Sequence, residues 1–541
     1  MNFLFVFSAV FSAQFVHISG KIVLDSVQGK VQGDFETTTR GNTQYAIFYG
    51  IPYAKPPVGK LRFKAPEPAE PWNGVYDNRI SMKSVCLQNA YFFEHASEDC
   101  LYLNVATPAL NNSDIDGNLS LPVMVWIHGG GWTSGSYDPL FYNPDFLMDQ
   151  EVVFVSVNYR LGALGFFALE HQAFGNQGLR DQTLALQWVQ QNIGIFGGDP
   201  NEVTIFGESA GAYSVFYQTL SPMAKGLFKR TIAESGSNLG PSKSAKTQEN
   251  AFRMGAEIAT HTECNSTVED LDNSLLMDCL QNIKGNDIIQ ANIYGKVYAS
   301  IDKVLDAEAF LPDSPRNILE SGEINGVDLL LGVNQDEALM WLKDYLRNPH
   351  NDTIFANVRD NWDTFAPRDL FDQHGDDITE EVLGYCNQAA DFYLEGSIDN
   401  YNYDHIDGIV KMLTDAWFWY SADDWARLAL QNNINTYQYI FGYEGLFGFV
   451  PGYGVSHADE VIYIFGGALS SIMPSHDVNV SQNMIDWWTN FAKYGYVLFC
   501  KGNYVILALK GIQHPMLILL LGDLCPNLVS IYSSTTLPSW T

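Results

Sequence analysis

The stretch "TIFGESAGAYSV", residues 204–215, most narrows what this chain can fold into. Ile205 and Phe206 end an apolar run that reads as a buried strand, and from Ala210 onward the pattern reads as a helix. Between them the chain has to turn within a few residues around Ser209. A bend that tight needs small neighbours, because a side chain at Gly207 or Gly211 would collide across it. The stretch therefore predicts a strand-to-helix elbow that holds a serine hydroxyl above the edge of a sheet.

The rest of the chain supplies such a sheet. Apolar, β-branched runs recur at 122–127, 152–157, 203–206, 230–235, 328–333 and 436–441. Helix-like stretches lie between several of them; in 181–193, for example, Leu184, Trp188 and Val189 share one face. Continuous hydrophobic strands alternating with helices predict an α/β fold with a mainly parallel sheet buried on both faces. The Pro-rich segment 50–72 reads as ordered, extended coil, and about 340 to 430 reads as helical insertions.

A serine alone is a poor nucleophile; it needs a base, a group to orient that base, and donors for an oxyanion. Strand ends converge on one rim of a parallel sheet, so each partner is expected just after a strand. "WIHGGGW" (126–132) follows one, and Gly129, Gly130 and Gly131 leave backbone N–H groups without a Cβ to block approach. Ala210, at the start of the elbow helix, offers another N–H. After the strand at 328–333 come Asp336 and Glu337, either of which could orient a histidine or simply cap a helix. Among the histidines, His457 sits in a glycine-rich loop before a new apolar element; His476, in a polar loop, and His514, beside Pro515, are weaker candidates. Ser, acid, His is one of three known chain orders for such a triad.

Composition excludes some partners. The chain has 541 residues, with 30 Lys+Arg against 62 Asp+Glu and a net charge of −32. So acidic a surface repels phosphate backbones, which argues against nucleic-acid binding. Residues 1–20 carry an apolar run from Phe3 to Val16, too short to span a bilayer and read as a secretory signal peptide. Seven cysteines and N-x-S/T sequons at Asn111, Asn118, Asn265, Asn351 and Asn479 fit an oxidising, secretory route.

These residues, in this order, resemble the type-B carboxylesterases, the cholinesterase-like branch of the α/β-hydrolases. The landmarks are "FYGIPYAKPPVGKLRFKAPEP", "SEDCLYLNV", "HGGGW", "NYRLGALGFF", "GNQGLRDQTLALQWVQQNIGIFGGDPNEVTIFGESAG" and "GVNQDE", and the match runs from about Val27 to Gly495. The resemblance implies an α/β-hydrolase fold occupying residues 21–541, with Ser209 as nucleophile, Glu337 as acid and His457 as base. It implies oxyanion donors at Gly130, Gly131 and Ala210, and a supporting serine at Ser235 beside the acid. Glu208 reads equally as an elbow residue or as a charge near the site. The resemblance further implies disulfides Cys86–Cys100 and Cys264–Cys279 and ion pairs Arg62–Glu98 and Arg160–Asp181, while Cys386, Cys500 and Cys525 receive no implied partner. A small-molecule ester is the implied substrate. No cofactor, metal or membrane insertion is implied, and nothing in the resemblance sets an oligomeric state.

Acetylcholine-hydrolysing members carry a tryptophan where this chain has Ala90, with Tyr91 and Phe92 alongside, and juvenile hormone esterases usually show GQSAG in place of GESAG. Both departures point to a general, secreted carboxylesterase. The alternative of a non-catalytic adhesion or binding member meets the difficulty that such members usually lose the serine or the histidine. Residues 496–533 depart from the family pattern and read as sequence foreign to the fold, such as translated intron.

Overall fold

The computed structural model describes residues 18–496 and 506–509, apart from segments at 78–83, 90–94, 109–118, 241–243, 265–272, 292–297, 303–308, 348–355, 357, 374–377, 397–404 and 470. The leader, Ala90 and its neighbours, the sequons at Asn111, Asn118, Asn265 and Asn351, and His514, Cys500 and Cys525 lie outside the described residues.

The organising element is a central mixed sheet. Its strands are β1 (Ile18–Asp25), β2 (Lys30–Thr37), β3 (Gln44–Pro52), β4 (Val75–Asp77), β7 (Tyr102–Thr107), β8 (Leu121–Ile127), β9 (Val153–Val157), β12 (Gly198–Glu208), β13 (Arg230–Glu234), β14 (Asp328–Asn334), β15 (Thr436–Phe441) and β16 (Ile506–Leu509). Two further pairs stand apart from it: β5 (Val85–Cys86) with β6 (Ala96–Ser97), and β10 (Ala168–Leu169) with β11 (Ala173–Phe174). The spatial order is β1-β2-β3-β7-β9-β8-β12-β13-β14-β15-β16, with β4 beside β2. From β9 to β15 all neighbours are parallel, and antiparallel strands close both ends.

Alternate residues of the buried strands feed two cores. Val123, Val125 and Ile127 of β8, with Val203 and Ile205 of β12, pack under the helices Gln177–Asn192, Ala210–Leu220 and Tyr420–Gln431. Met124, Trp126 and Phe206 face the opposite way, against Met484, Ile485, Trp488 and Phe491 of the helix Ser475–Tyr494. Helices between 339 and 414 form a separate apolar cluster around Leu342, Trp362, Cys386 and Leu413. A fourth cluster, around Phe63, Leu164 and Met277, contains the disulfide partner Cys264.

The connection order creates the site. β9 lies on one side of β8 and β12 on the other, so the chain reverses its winding direction between them. Ligands of such sheets bind in the crevice at the carboxyl ends where that reversal occurs. The glycine loop after β8 and Ser209 after β12 both open there.

Within the tail segment that departs from the family pattern, Ile506–Leu509 pairs antiparallel with β15, Leu509 opposite Thr436 and Ile506 opposite Tyr439. Asn479 is exposed on the helix Ser475–Tyr494 rather than in a loop, and the serine of its sequon, Ser481, is buried. Among the described residues no helix is long and apolar enough to cross a membrane.

Candidate active site

Ser209 stands at φ 54°, ψ −120°, a conformation non-glycine residues avoid unless their surroundings impose it. Three glycines impose it. A Cβ on Gly211 would lie 2.0 Å from the Ile127 carbonyl oxygen, and one on Gly207 would lie 2.5 Å from the same atom. On the far side, a Cβ on Gly236 would meet the Ser209 carbonyl at 2.7 Å. The Ser209 N–H donates to the Glu234 carbonyl (2.9 Å), which anchors the turn to β13. The serine itself is half-buried, whereas the helix it caps, Ala210–Leu220, is buried throughout.

The glycine loop is fastened beside it. A Cβ on Gly129 would touch Glu208 Oε2 at 2.6 Å and Ser209 Cβ at 3.2 Å, so this backbone rests directly on the serine elbow. Gly130 and Gly131 take φ 97° and 63°, and the Gly130 carbonyl accepts from the Thr133 and Ser134 amides to close a tight turn. Trp132, fully buried, donates from Nε1 to Ser214 Oγ (2.9 Å) on the elbow helix. His128 stacks on Tyr159 with ring centroids 4.3 Å apart, and burial pushes its imidazole down to about 4, so it is neutral at physiological pH.

Histidine and acid meet across 120 residues of chain: His457 Nδ1 lies 2.6 Å from Glu337 Oε2. The other Glu337 oxygen accepts from the Asn334 amide (2.7 Å), and both side chains are almost wholly buried. Asp336, the second candidate carboxylate, is engaged by backbone and by Gln335 instead. Its Oδ2 accepts from the Val455 amide (3.1 Å), so it straps the histidine loop to β14. Asp459 grips that loop again, accepting from the Phe449 (2.7 Å) and Ser456 (2.8 Å) amides, and burial pushes its carboxyl up to about 7.

His457 Nε2 makes no hydrogen bond among the described residues, to Ser209 or to any other group. Glu208 Oε1 lies 3.1 Å from it but is misaligned for a hydrogen bond. Serine–histidine bonds in unliganded hydrolases are often open and tighten with substrate. Glu208 belongs to a buried carboxylate group with Glu234, Glu337 and Glu460. Desolvation first, then repulsion from Glu337 and Glu234, raises the Glu208 carboxyl well above its ordinary value. Glu460 is raised for the same reasons, and Glu234 is pushed up to about 8 by burial despite the bond from Trp488 Nε1 (2.8 Å). Ser235 Oγ donates to Glu460 Oε1 (3.3 Å), and Asn334 Nδ2 to Glu460 Oε2 (2.5 Å). Ser235 thus reaches the acid region through Glu460.

Two aromatic rings that sequence reasoning did not single out wall the histidine. Trp341 and Phe418 each lie 5.0 Å from the His457 ring, and Trp341 is 44% exposed. Phe418 sits in a short π-helix, Asp415–Trp419, where the Tyr420 amide donates to the Asp415 carbonyl five residues back. Such widened turns are frequent at functional sites. The signal available was position: Trp341 lies one helical turn beyond the Glu337 turn, and Glu460 one turn beyond His457.

The remaining expected pairs are present. The disulfides Cys86–Cys100 and Cys264–Cys279 are formed, and Cys386 is a buried thiol. Arg62 pairs with both Glu98 oxygens (2.7 and 2.6 Å), and Arg160 with both Asp181 oxygens (2.8 and 2.7 Å). His476 is exposed on the helix Ser475–Tyr494. Among the described residues no group of three or more His, Cys, Asp or Glu is arranged to hold a metal ion.

The sheet, the elbow and the strand-end cluster define an α/β-hydrolase. More narrowly, the chain belongs to the carboxylesterase family, whose model matches residues 20–501. Similar proteins include the juvenile hormone esterase of Tribolium castaneum, 34% identical over 86% of this chain and 82% of the relative. The venom carboxylesterase-6 of Apis mellifera is 33% identical over 86% and 84%, and the acylcarnitine hydrolase of Mus musculus 34% over 86% and 82%.

Proposed function

We propose that this protein is a secreted carboxylesterase that hydrolyses small-molecule esters through an acyl-enzyme on Ser209. The observation that carries the reading is the strained serine, held at φ 54°, ψ −120° with the glycine loop against its Cβ. His457 removes the hydroxyl proton as Oγ attacks the ester carbonyl. The oxyanion forms against the backbone N–H groups of Gly130, Gly131 and Ala210, and Glu337 holds the imidazole tautomer and stabilises its positive charge. The alcohol leaves with the proton from His457, and water then attacks the acyl-enzyme through the same base. Trp341 and Phe418 give the reacting carbonyl an apolar, aromatic neighbour, which favours esters with at least one hydrophobic arm. Secretion is supported by the apolar run at 3–16 and by the two disulfides, which persist in oxidising compartments.

Hydrolysis of p-nitrophenyl butyrate by the purified chain, beside Ser209→Ala and an organophosphate titrant, tests this. Turnover lost in the variant, with one phosphoryl group bound per wild-type chain, is expected. A folded wild-type protein without turnover or labelling would overturn the reading.

A further inference from the structure

The oxyanion loop is anchored at its start and middle by residues already described, yet its exit at Gly135 is held from a different part of the chain. Gln88 is buried, and its side-chain amide pairs with Gly135 in both directions. Nε2 donates to the Gly135 carbonyl (2.8 Å), and the Gly135 N–H donates to Oε1 (2.9 Å). Nε2 also donates to the Cys86 carbonyl (2.9 Å). Gly135 in turn has no room for a side chain: at φ 114°, a Cβ on it would meet His128 Nδ1 at 2.4 Å and the Gly129 carbonyl at 2.7 Å. Its backbone therefore lies close against the entry of the triple-glycine turn, so a shift of Gly135 toward that turn presses on Gly129.

The same cross-link is tied to the disulfide. Cys86, whose carbonyl Gln88 grips, is bonded to Cys100. The Cys100 carbonyl accepts from Asn158 Nδ2 (3.1 Å), while Asn158 Oδ1 accepts from the Tyr137 amide (3.0 Å), two residues beyond Gly135. Both halves of the disulfide thus brace the segment that leaves the glycine loop, one through Gln88 and one through Asn158.

We propose that Gln88 is a positioning residue for acyl transfer: it fixes Gly135, and through it the oxyanion donors, against the Cys86–Cys100 disulfide. This rests on reading the glycine loop as the oxyanion hole. Gln88 touches no reacting atom, so its loss is felt in the transition state rather than in substrate binding. Loss of one oxyanion donor costs about 10²–10³ in kcat, and a misplacement of about 1 Å about 10². A loop loosened at one end should lose about 10- to 100-fold.

The test uses Gln88→Met, which keeps the length without the amide, and Gln88→Ala, each in the full chain. The kcat for p-nitrophenyl butyrate is normalised to sites titrated by organophosphate. The expected result is a kcat per titrated site 10- to 100-fold below wild type, KM within about threefold, and affinity for a trifluoromethyl ketone reduced in proportion to kcat/KM. Wild-type kcat per titrated site, with fewer sites titrated, would assign Gln88 a purely structural role and overturn the proposal. Failure of both variants to yield folded protein overturns it as well. A wild-type enzyme without turnover would instead refute the esterase reading itself, so the two failures are distinct.

Discussion

Glu337→Gln separates the two adjacent carboxylates, because the carboxylate of Glu337 is asked to accept twice. Oε1 takes the Asn334 N–H at 2.7 Å and Oε2 faces His457 Nδ1 at 2.6 Å. A glutamine of the same shape has one acceptor. If its oxygen stays on Asn334, its NH₂ faces Nδ1, the ring proton moves to Nε2, and the base is blocked. If it turns over to serve His457, its NH₂ confronts the Asn334 N–H, leaving buried donors unpaired at about 1–3 kcal/mol. Either way the negative charge that would stabilise imidazolium is gone. Loss of the orienting acid in a serine hydrolase costs about 10⁴ in kcat, about 5.4 kcal/mol. The assay is steady-state hydrolysis of p-nitrophenyl butyrate from pH 6 to 9, with thermal melting to confirm folding. We expect kcat down about 10⁴-fold, KM within about threefold and little change in Tm. A folded Glu337→Gln enzyme within tenfold of wild type would refute the reasoning. If Asp336→Asn then proved the more damaging change, the orienting role would pass to Asp336.

Asp181→Ala strands the guanidinium of Arg160, which is 4% exposed, and should cost about 3–5 kcal/mol, read as a lower denaturation midpoint in urea. Glu234→Gln keeps the acceptor for Trp488 but removes a buried acid whose carboxyl is raised to about 8. A raised acid stabilises the fold below its unfolded pKa relative to higher pH, and loses that contribution as pH climbs from about 4.5 to about 8. The variant should therefore match wild type near pH 4, melt higher at pH 9, and show a flatter profile between. Equal melting curves at pH 9 would refute this. Trp341→Ala opens one wall beside His457 at a half-exposed position. It should raise KM for hydrophobic esters several-fold with little loss of Tm, and a comparison of acetyl with hexanoyl esters checks that the loss grows with chain length.

The parallel strands were legible because both faces are buried: Val123 to Ile127 all need apolar side chains, which gives an unbroken run. The antiparallel strands of the amino-terminal edge were less so, since half-polar segments such as Lys30–Thr37 carry a mixed pattern. The elbow was readable from its glycines because the collision with Ile127 is local in kind even though Ile127 is distant in sequence. The Asp336–Glu337 ambiguity could not be resolved by composition, because both carry a carboxylate after the same strand and which one reaches the histidine depends on where the backbone points each. Nor could Gln88 be found: its partner lies 47 residues away, and an amide that pairs with backbone leaves no periodicity. Phe418 was hidden for a related reason, as an apolar residue among apolar residues whose direction depends on local winding.

That winding has a consequence for what the chain can tolerate. The π-helix at Asp415–Trp419 holds one residue more than an ordinary helix would over the same length. It works as a phase adjuster: each residue added to or taken from a helix turns everything beyond it by about 100°. Upstream, Ile409 and Leu413 are set into the insertion core, and downstream Trp425 is set against Phe216 and bonded to Asn238. Deleting a single residue here would let the segment relax to a regular α-helix with its hydrogen bonds intact. The flanking helices would keep their faces toward their cores, because the widened turn already absorbs the extra residue, and the residues of the turn itself, Phe418 among them, would be re-aimed away from His457. A one-residue deletion at this point would act on the active site as a rotation, whereas a substitution acts on it only through the side chain it replaces.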